Sequence, residues 1–161
     1  MKKGWILLTL AASCALADPA KDWKDYDNPI VKVHMQANAA WTTMEVKETP
    51  QSGSVSFTIS RLPLISFSAT REPMEGNFET YMSSASLTPL YPSGYKKTRG
   101  AFAGRVAFIT HGTATDGRWD ESYFVTDGKS IYQISFSAPK EDWKEAQSPF
   151  DGLKSSFRWL P

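Results

Sequence analysis

The residue types that could carry chemistry are few and widely spaced. The chain holds two histidines, His34 and His111, and one cysteine, Cys14. A zinc site needs His or Cys ligands at short, paired spacings, and these three residues do not supply them. Each histidine therefore reads as a hydrogen-bonded or exposed strand residue. Serines are plentiful, but no G-x-S-x-G elbow presents one as a nucleophile, and no glycine-rich phosphate loop occurs. Asp22, Asp25 and Asp27 lack the alternating ligand spacing and distal Glu of a calcium loop, so they read as a solvated acidic segment. Asp116, Asp120 and Glu121 are candidates for a glycosidase carboxylate pair. However, Asp116 precedes Gly117 in a turn, and adjacent strand residues such as Asp120 and Glu121 face opposite sides. No catalytic residue, metal site or cofactor is expected.

Binding surfaces remain. Trp119 and Tyr123 share one strand face, with Arg118 beside them near a hairpin tip, the composition of an interface hot spot. It is also the composition of a sheet packed under a helix. Arg105 joins these as a candidate partner or ligand contact. With Lys96, Lys97 and Arg99 it forms a basic patch suited to an acidic partner or lipid headgroup, or to guarding a sheet edge against pairing.

The elements that must position these residues fit a chain of 161 residues, the length of one ordinary domain. Lys and Arg number 18 against 17 Asp and Glu, for a net charge of +1, which excludes the concentrated basic charge of a nucleic-acid binder. At 41% hydrophobic and 22% charged the chain is too apolar for intrinsic disorder, and 13% aromatic residues suit strand-rich packing.

Lys2 and Lys3, the apolar run from Trp5 to Ala12, and Ala15-Leu16-Ala17 before Asp18 form a secretory leader, with cleavage expected between Ala17 and Asp18. The run is too short to span a bilayer. Cys14 follows small and apolar residues and is a candidate for lipidation, although Ala11 stands where a lipoprotein signal usually has Leu. The expected location is outside the cytoplasm, periplasmic or extracellular, with membrane attachment only if Cys14 is acylated. Cleavage after Ala17 leaves no cysteine, so the core must hold the fold without a disulfide.

Residues 18–28 show neither helical nor strand period and read as a flexible tail ahead of a single domain, 29–161. Val31, Val33 and Met35 then alternate onto one strand face. Residues 41–46 and 54–59 read as strands, and 62–67 as either a strand or an irregular excursion, because Pro63 disfavours pairing. Residues 77–87 carry Phe78, Tyr81, Met82 and Ala85 at helical spacing. Strands follow at 95–102, 105–111, 118–126 and 130–138, punctuated by Ala103-Gly104, Asp116-Gly117 and Asp127-Gly128. Trp143, Ala146, Phe150, Leu153 and Phe157 form one stripe of an amphipathic C-terminal helix, with a kink or a break expected at Pro149.

Three stretches carry a resemblance. They are Gly104-Arg105-Val106-Ala107-Phe108, the strand Ser130-Ile131-Tyr132-Gln133-Ile134-Ser135-Phe136-Ser137-Ala138-Pro139, and the ending from Phe150 to Ser155-Ser156-Phe157-Arg158-Trp159. With Val31-Lys32-Val33 and Trp41 upstream, the chain resembles the PsbP-like superfamily, of the small exported PsbP-like and DcrB-like kind, most specifically over residues 95–159. The resemblance implies an α+β fold: an antiparallel β-sheet flanked by helices, as an α/β/α sandwich, closed by the C-terminal amphipathic helix. It also implies a non-catalytic accessory, assembly or chaperone-like module for another envelope protein. A carrier of a small ligand or lipid is the alternative, and a hydrolase with an unrecognised site the third reading. Intact-mass spectrometry of the protein made in its own host checks the leader. A chain beginning at Asp18 without adduct is expected; a lipid-sized increment on a chain beginning at Cys14 would make it a tethered lipoprotein instead.

Overall fold

A computed structural model describes residues 22–61, 64–84 and 93–161. Cys14, Ala17 and Asp18 lie outside the described residues, as do Pro63, Ala85, Pro89 and Pro92. The chain forms β1 (Trp23–Asn28), β2 (Val33–Asn38), β3 (Thr42–Thr49), β4 (Ser52–Arg61), β5 (Leu64–Pro73), α1 (Phe78–Ser84), β6 (Ser93–Phe102), β7 (Arg105–Thr113), β8 (Arg118–Thr126), β9 (Ser130–Pro139), α2 (Trp143–Ser156) and β10 (Arg158–Trp159). Seven strands make one antiparallel sheet in the order β3-β4-β5-β9-β8-β7-β6, and β1-β2-β10 make a smaller one.

Local chemistry sets the hairpins. Ala103 and Gly104 both take positive φ, 46° and 79°, so a two-residue primed turn joins Phe102 directly to Arg105. Asp127 Oδ1 accepts from the backbone amides of Lys129 (2.9 Å) and Ser130 (2.7 Å), closing the β8–β9 turn. Asp116 Oδ1 accepts similarly from the Arg118 amide at 3.1 Å.

Alternation decides the layers. Val55, Phe57, Ile65, Phe67, Ala69, Ile134 and Phe136 point to one face of the large sheet and are buried. The small sheet and α2 cover that face, contributing buried Val31, Val33, Met35, Ala146, Phe150, Leu153 and Phe157. The opposite face carries a smaller cluster, in which Met82 of α1 meets Phe108, Phe124 and Ile131, with Phe78 and Met74 alongside.

Several expectations change. Residues 23–28, expected in a flexible tail, are the strand β1. Their two aromatics pay for order: Trp23 meets Trp41 and Tyr26 meets Phe57, each at 5.0 Å between ring centroids. Buried Asn28 then caps the turn through bonds from the amides of Ile30 and Val31 at 3.1 and 2.8 Å. Val31, Val33 and Met35 are all buried as expected, but Val31 sits in the turn that precedes β2. Of the 62–67 stretch, residues 64–67 open β5, a ten-residue strand inside the sheet, which settles the choice for them between strand and excursion; residues 62 and 63 lie outside the described residues. The α/β/α sandwich holds only coarsely, because a sheet as well as a helix covers one face and, among the described residues, α1 spans seven.

The C-terminal helix runs from Trp143 to Ser156 without a break at Pro149. Pro149 forfeits one backbone bond, at a cost of about 3 kcal/mol, yet it lies on the buried stripe with Ala146, Phe150 and Leu153. Burial of that stripe outweighs the local loss. Gly152 is required where β1 crosses α2: a Cβ there would lie 2.6 Å from the Trp23 ring. Phe157, the residue capping α2, is fully buried against Phe102 and Trp159, at 4.9 and 5.0 Å. Phe157→Ala is expected to cost about 3–5 kcal/mol in chemical denaturation; an unchanged midpoint would refute this packing.

Candidate binding face

The face of the large sheet opposite the aromatic layer is paved with hydroxyls. One cross-strand row runs Lys97, Thr110, Ser122, Ser135, Ser68, Ser56, Met44 across all seven strands. The next holds Gly112, Asp120, Ser137, Ser66, Thr58 and Thr42. A third passes from Arg99 through Phe108 and Phe124 to Gln133, Thr70, Ser54 and Val46. Neighbouring strands lie roughly 4.8 Å apart, so the hydroxyls form a regular grid of donors and acceptors. Ser54, Ser56, Thr58, Ser66, Ser68 and Thr70 are half-buried, and Met44 and Val46 stand exposed at the rim.

The hydroxyls are densest on β4 and β5, and bond to one another where β8 meets β9. Ser122 and Ser135 share a hydrogen bond of 2.7 Å, and Gln133 Nε2 donates to Ser135 at 3.1 Å. Thr110 Oγ1, Asp120 Oδ1 and Ser137 Oγ, by contrast, are buried without a well-formed hydrogen bond, as is Nη1 of Arg105 on the other face. The first three sit on adjacent strands at adjoining register positions. Burial raises the Asp120 carboxyl above its ordinary range, and the facing Ser137 hydroxyl and Arg118 charge offset this only in part. Arg118 also lies on this face, donating to Asp116 Oδ2 at 2.7 Å and reaching Ser66 Oγ at 3.4 Å. At Asp116 burial pushes upward, but the bonds from Arg118 prevail and lower its pKa.

Trp119 and Tyr123 lie on the other face, half-buried in the aromatic layer. Trp119 stacks on His111 at 5.7 Å and meets Trp143 of α2 edge-on at 6.4 Å. Tyr123 packs on Phe102 at 4.6 Å and donates to Glu121 Oε1 at 2.6 Å. Glu121 also accepts from Lys154 of α2 at 2.6 Å. Burial pushes Glu121 up, but the Lys154 and Tyr123 bonds bring it below its usual value. Burial and Glu121 together raise Tyr123. Arg105 is at the far end of β7, its guanidinium 4.3 Å from the Trp159 ring centroid and 5.9 Å from that of Tyr132. The expected set is thus divided: Arg118 on the hydroxyl face, Trp119 and Tyr123 beneath α2, and Arg105 against Trp159.

The basic patch is also divided. Lys97 Nζ donates to the Met82 carbonyl at 2.9 Å, and Arg99 pairs with Glu79, so both hold α1 on the sheet. His34 sits on the small sheet, its Nδ1 2.6 Å from Asp27 Oδ1, far from any nucleophile arrangement. Among the described residues no group of three or more His, Cys, Asp and Glu is placed to hold a metal. Sequence reading passed over the hydroxyl grid itself. Its signal was present in Ser-Val-Ser-Phe-Thr at 54–58, Ser-Phe-Ser-Ala-Thr at 66–70 and Gln-Ile-Ser-Phe-Ser at 133–137.

The architecture is PsbP-like. It superposes on the solution structure of cyanobacterial PsbP (CyanoP) from Synechocystis with a TM-score of 0.58 at 15% identity, covering 86% of this chain and 93% of that one. The crystal structure of LpqN, involved in cell envelope biogenesis of Mycobacterium tuberculosis, matches with a TM-score of 0.53 at 11% identity, covering 87% and 91%. No family model and no curated protein sequence matches the chain. Among the described residues no helix is long and apolar enough to cross a membrane.

Opposite pH dependences follow from adjacent residues. Asp120 holds its proton more tightly when folded, so it costs stability as pH rises from the unfolded carboxyl pKa of about 4 through the raised folded value. Asp120→Asn should abolish that loss and stabilise the protein at neutral pH, with little effect in acid. Glu121 is the reverse: its contribution is present above the unfolded pKa and is lost as pH falls through the lowered folded value. Glu121→Gln should cost about 1–3 kcal/mol at neutral pH and progressively less in acid. Denaturant midpoints measured across pH check both; parallel profiles for the two variants would contradict the assignment.

Proposed function

We propose that this chain is an exported, non-catalytic accessory module that holds another envelope protein on its hydroxyl-paved sheet face. The observation carrying the reading is the grid itself: hydroxyls of β4, β5 and β9 side by side in cross-strand rows, with Ser54, Ser56, Thr58, Ser66, Ser68 and Thr70 half-open to solvent. Hydroxyl donors and acceptors at strand spacing suit a polar protein surface. A serine–histidine hydrolase finds no support on this face, because neither imidazole stands beside its hydroxyls: His111 is on the opposite face and His34 on the small sheet. The leader sequence and the likeness in fold to LpqN, described as involved in cell envelope biogenesis, both favour an envelope partner.

The carrier reading draws no support from the aromatic side. Phe57, Phe67, Phe136 and Phe150, which would line a ligand cavity between sheet and helix, pack on one another at 5.9, 5.2 and 5.1 Å. A photo-crosslinking amino acid at Ser56 or Ser68, with exposed Thr98 on the opposite face as control, tests the proposal in the native host. A discrete protein adduct from the first two positions alone is expected. Equal yields from all three, or adducts from Thr98 alone, would remove the hydroxyl face from the function.

A further inference from the structure

The two edges of the large sheet differ in charge pattern. β6 carries Lys96, Lys97 and Arg99 with no acid, so a second β6 beside it would bring like charges together. β3 reads Thr-Thr-Met-Glu-Val-Lys-Glu-Thr, with both signs, and all eight of its residues are exposed. Met44 is 62% exposed and Val46 39%, though both are apolar strand residues. Among the described residues no strand lies along the outer side of β3. Such an edge is a template for a further strand.

We propose that β3 pairs antiparallel with β3 of a second copy, joining the two large sheets across a two-fold axis centred on Val46. Symmetry and charge select that register. A two-fold axis perpendicular to the sheet preserves its faces, and residues alternate faces along a strand, so the axis must pass between a residue and its own counterpart. Centring on Glu45 would oppose two carboxylates, and centring on Lys47 two ammonium groups. Centring on Met44 is neutral but sets Glu45 against Thr43. With Val46 at the centre, Val46 meets itself, and Glu45 of each copy meets Lys47 of the other, twice by symmetry. Cross-strand pairs of opposite charge stabilise a sheet and like charges oppose it. The Tyr26 hydroxyl donates to Oε1 of Glu45 within the chain, leaving Oε2 for the second copy's lysine. The β3–β4 irregularity between Lys47 and Thr49 limits the regular stretch. The contact is therefore at the small end of interfaces, and association is weak and concentration-dependent. This pairing uses an edge and does not rest on the partner proposed for the hydroxyl face.

Sedimentation velocity of the purified protein, up to about 1 mM, tests it. The parent should move from one copy toward two as concentration rises. Glu45→Lys and Lys47→Glu should each weaken association roughly tenfold or more, because each sets like charges against one another twice. Mixing these two variants should restore association, since each then offers the charge the other lacks. Lys47→Glu leaves the Tyr26–Glu45 bond intact, so its unchanged unfolding midpoint is the control for folding. High salt should weaken the parent dimer, a second readout that needs no variant. A parent that stays monomeric throughout, variants that associate like the parent, or a mixture that stays monomeric would each overturn the proposal.

Discussion

Two-residue alternation through β5, β8, β9 and β4 as far as Thr58 is the constraint on which the rest of the molecule depends. It places Val55, Phe57, Phe67, Ile134 and Phe136 on one side of the sheet and Ser54, Ser56, Ser68, Ser135 and Ser137 on the other. A slip of one residue would bury the hydroxyls and expose the phenyl rings, so the register is specified strongly. Each buried ring contributes about 1.5–3 kcal/mol only if something covers it. The small sheet and α2 supply that cover. Trp23, Tyr26 and Trp41 close one end of the aromatic layer, and Phe157 and Trp159 another.

Neighbouring Asp120 and Glu121 show what the two faces do to the same chemistry. Both are carboxylates on β8, each taken largely out of water. Glu121 points into the aromatic layer and receives a lysine and a tyrosine, so its charge is favoured. Asp120 points into the hydroxyl grid with one oxygen unbonded, and its charge is disfavoured. Burial alone does not distinguish them; the partner does.

Much of the fold was legible from the residues. The hairpin run from β6 to β9 followed from Gly104, Gly117 and Gly128 between β-rich segments, and the α2 stripe from intervals of three and four ending at Phe157. β1 was not legible, because its order comes from long-range contacts of Trp23 and Tyr26 that no local period announces. β5 was obscured by Pro63, whose local penalty says nothing of the pairing available to residues 64–73 on both sides. For the site, the separation of Asp120 from Glu121 was legible, and so was the preferred reading of Trp119 and Tyr123 as packed under a helix rather than forming an interface. The grid was written in the Ser-x-Ser alternation of three strands, but serine counts as background until register sets the strands side by side.

The central claim, that the hydroxyl face is the face occupied by a partner, is tested most directly by thiol labelling in place. Ser68→Cys and Thr98→Cys would be labelled with a maleimide both as purified proteins and in the intact envelope of the host. Protection of the Ser68→Cys thiol in the envelope relative to the purified protein, with the Thr98→Cys thiol labelled equally in both, is the predicted result. Equal labelling of the Ser68→Cys thiol in both settings would contradict the account.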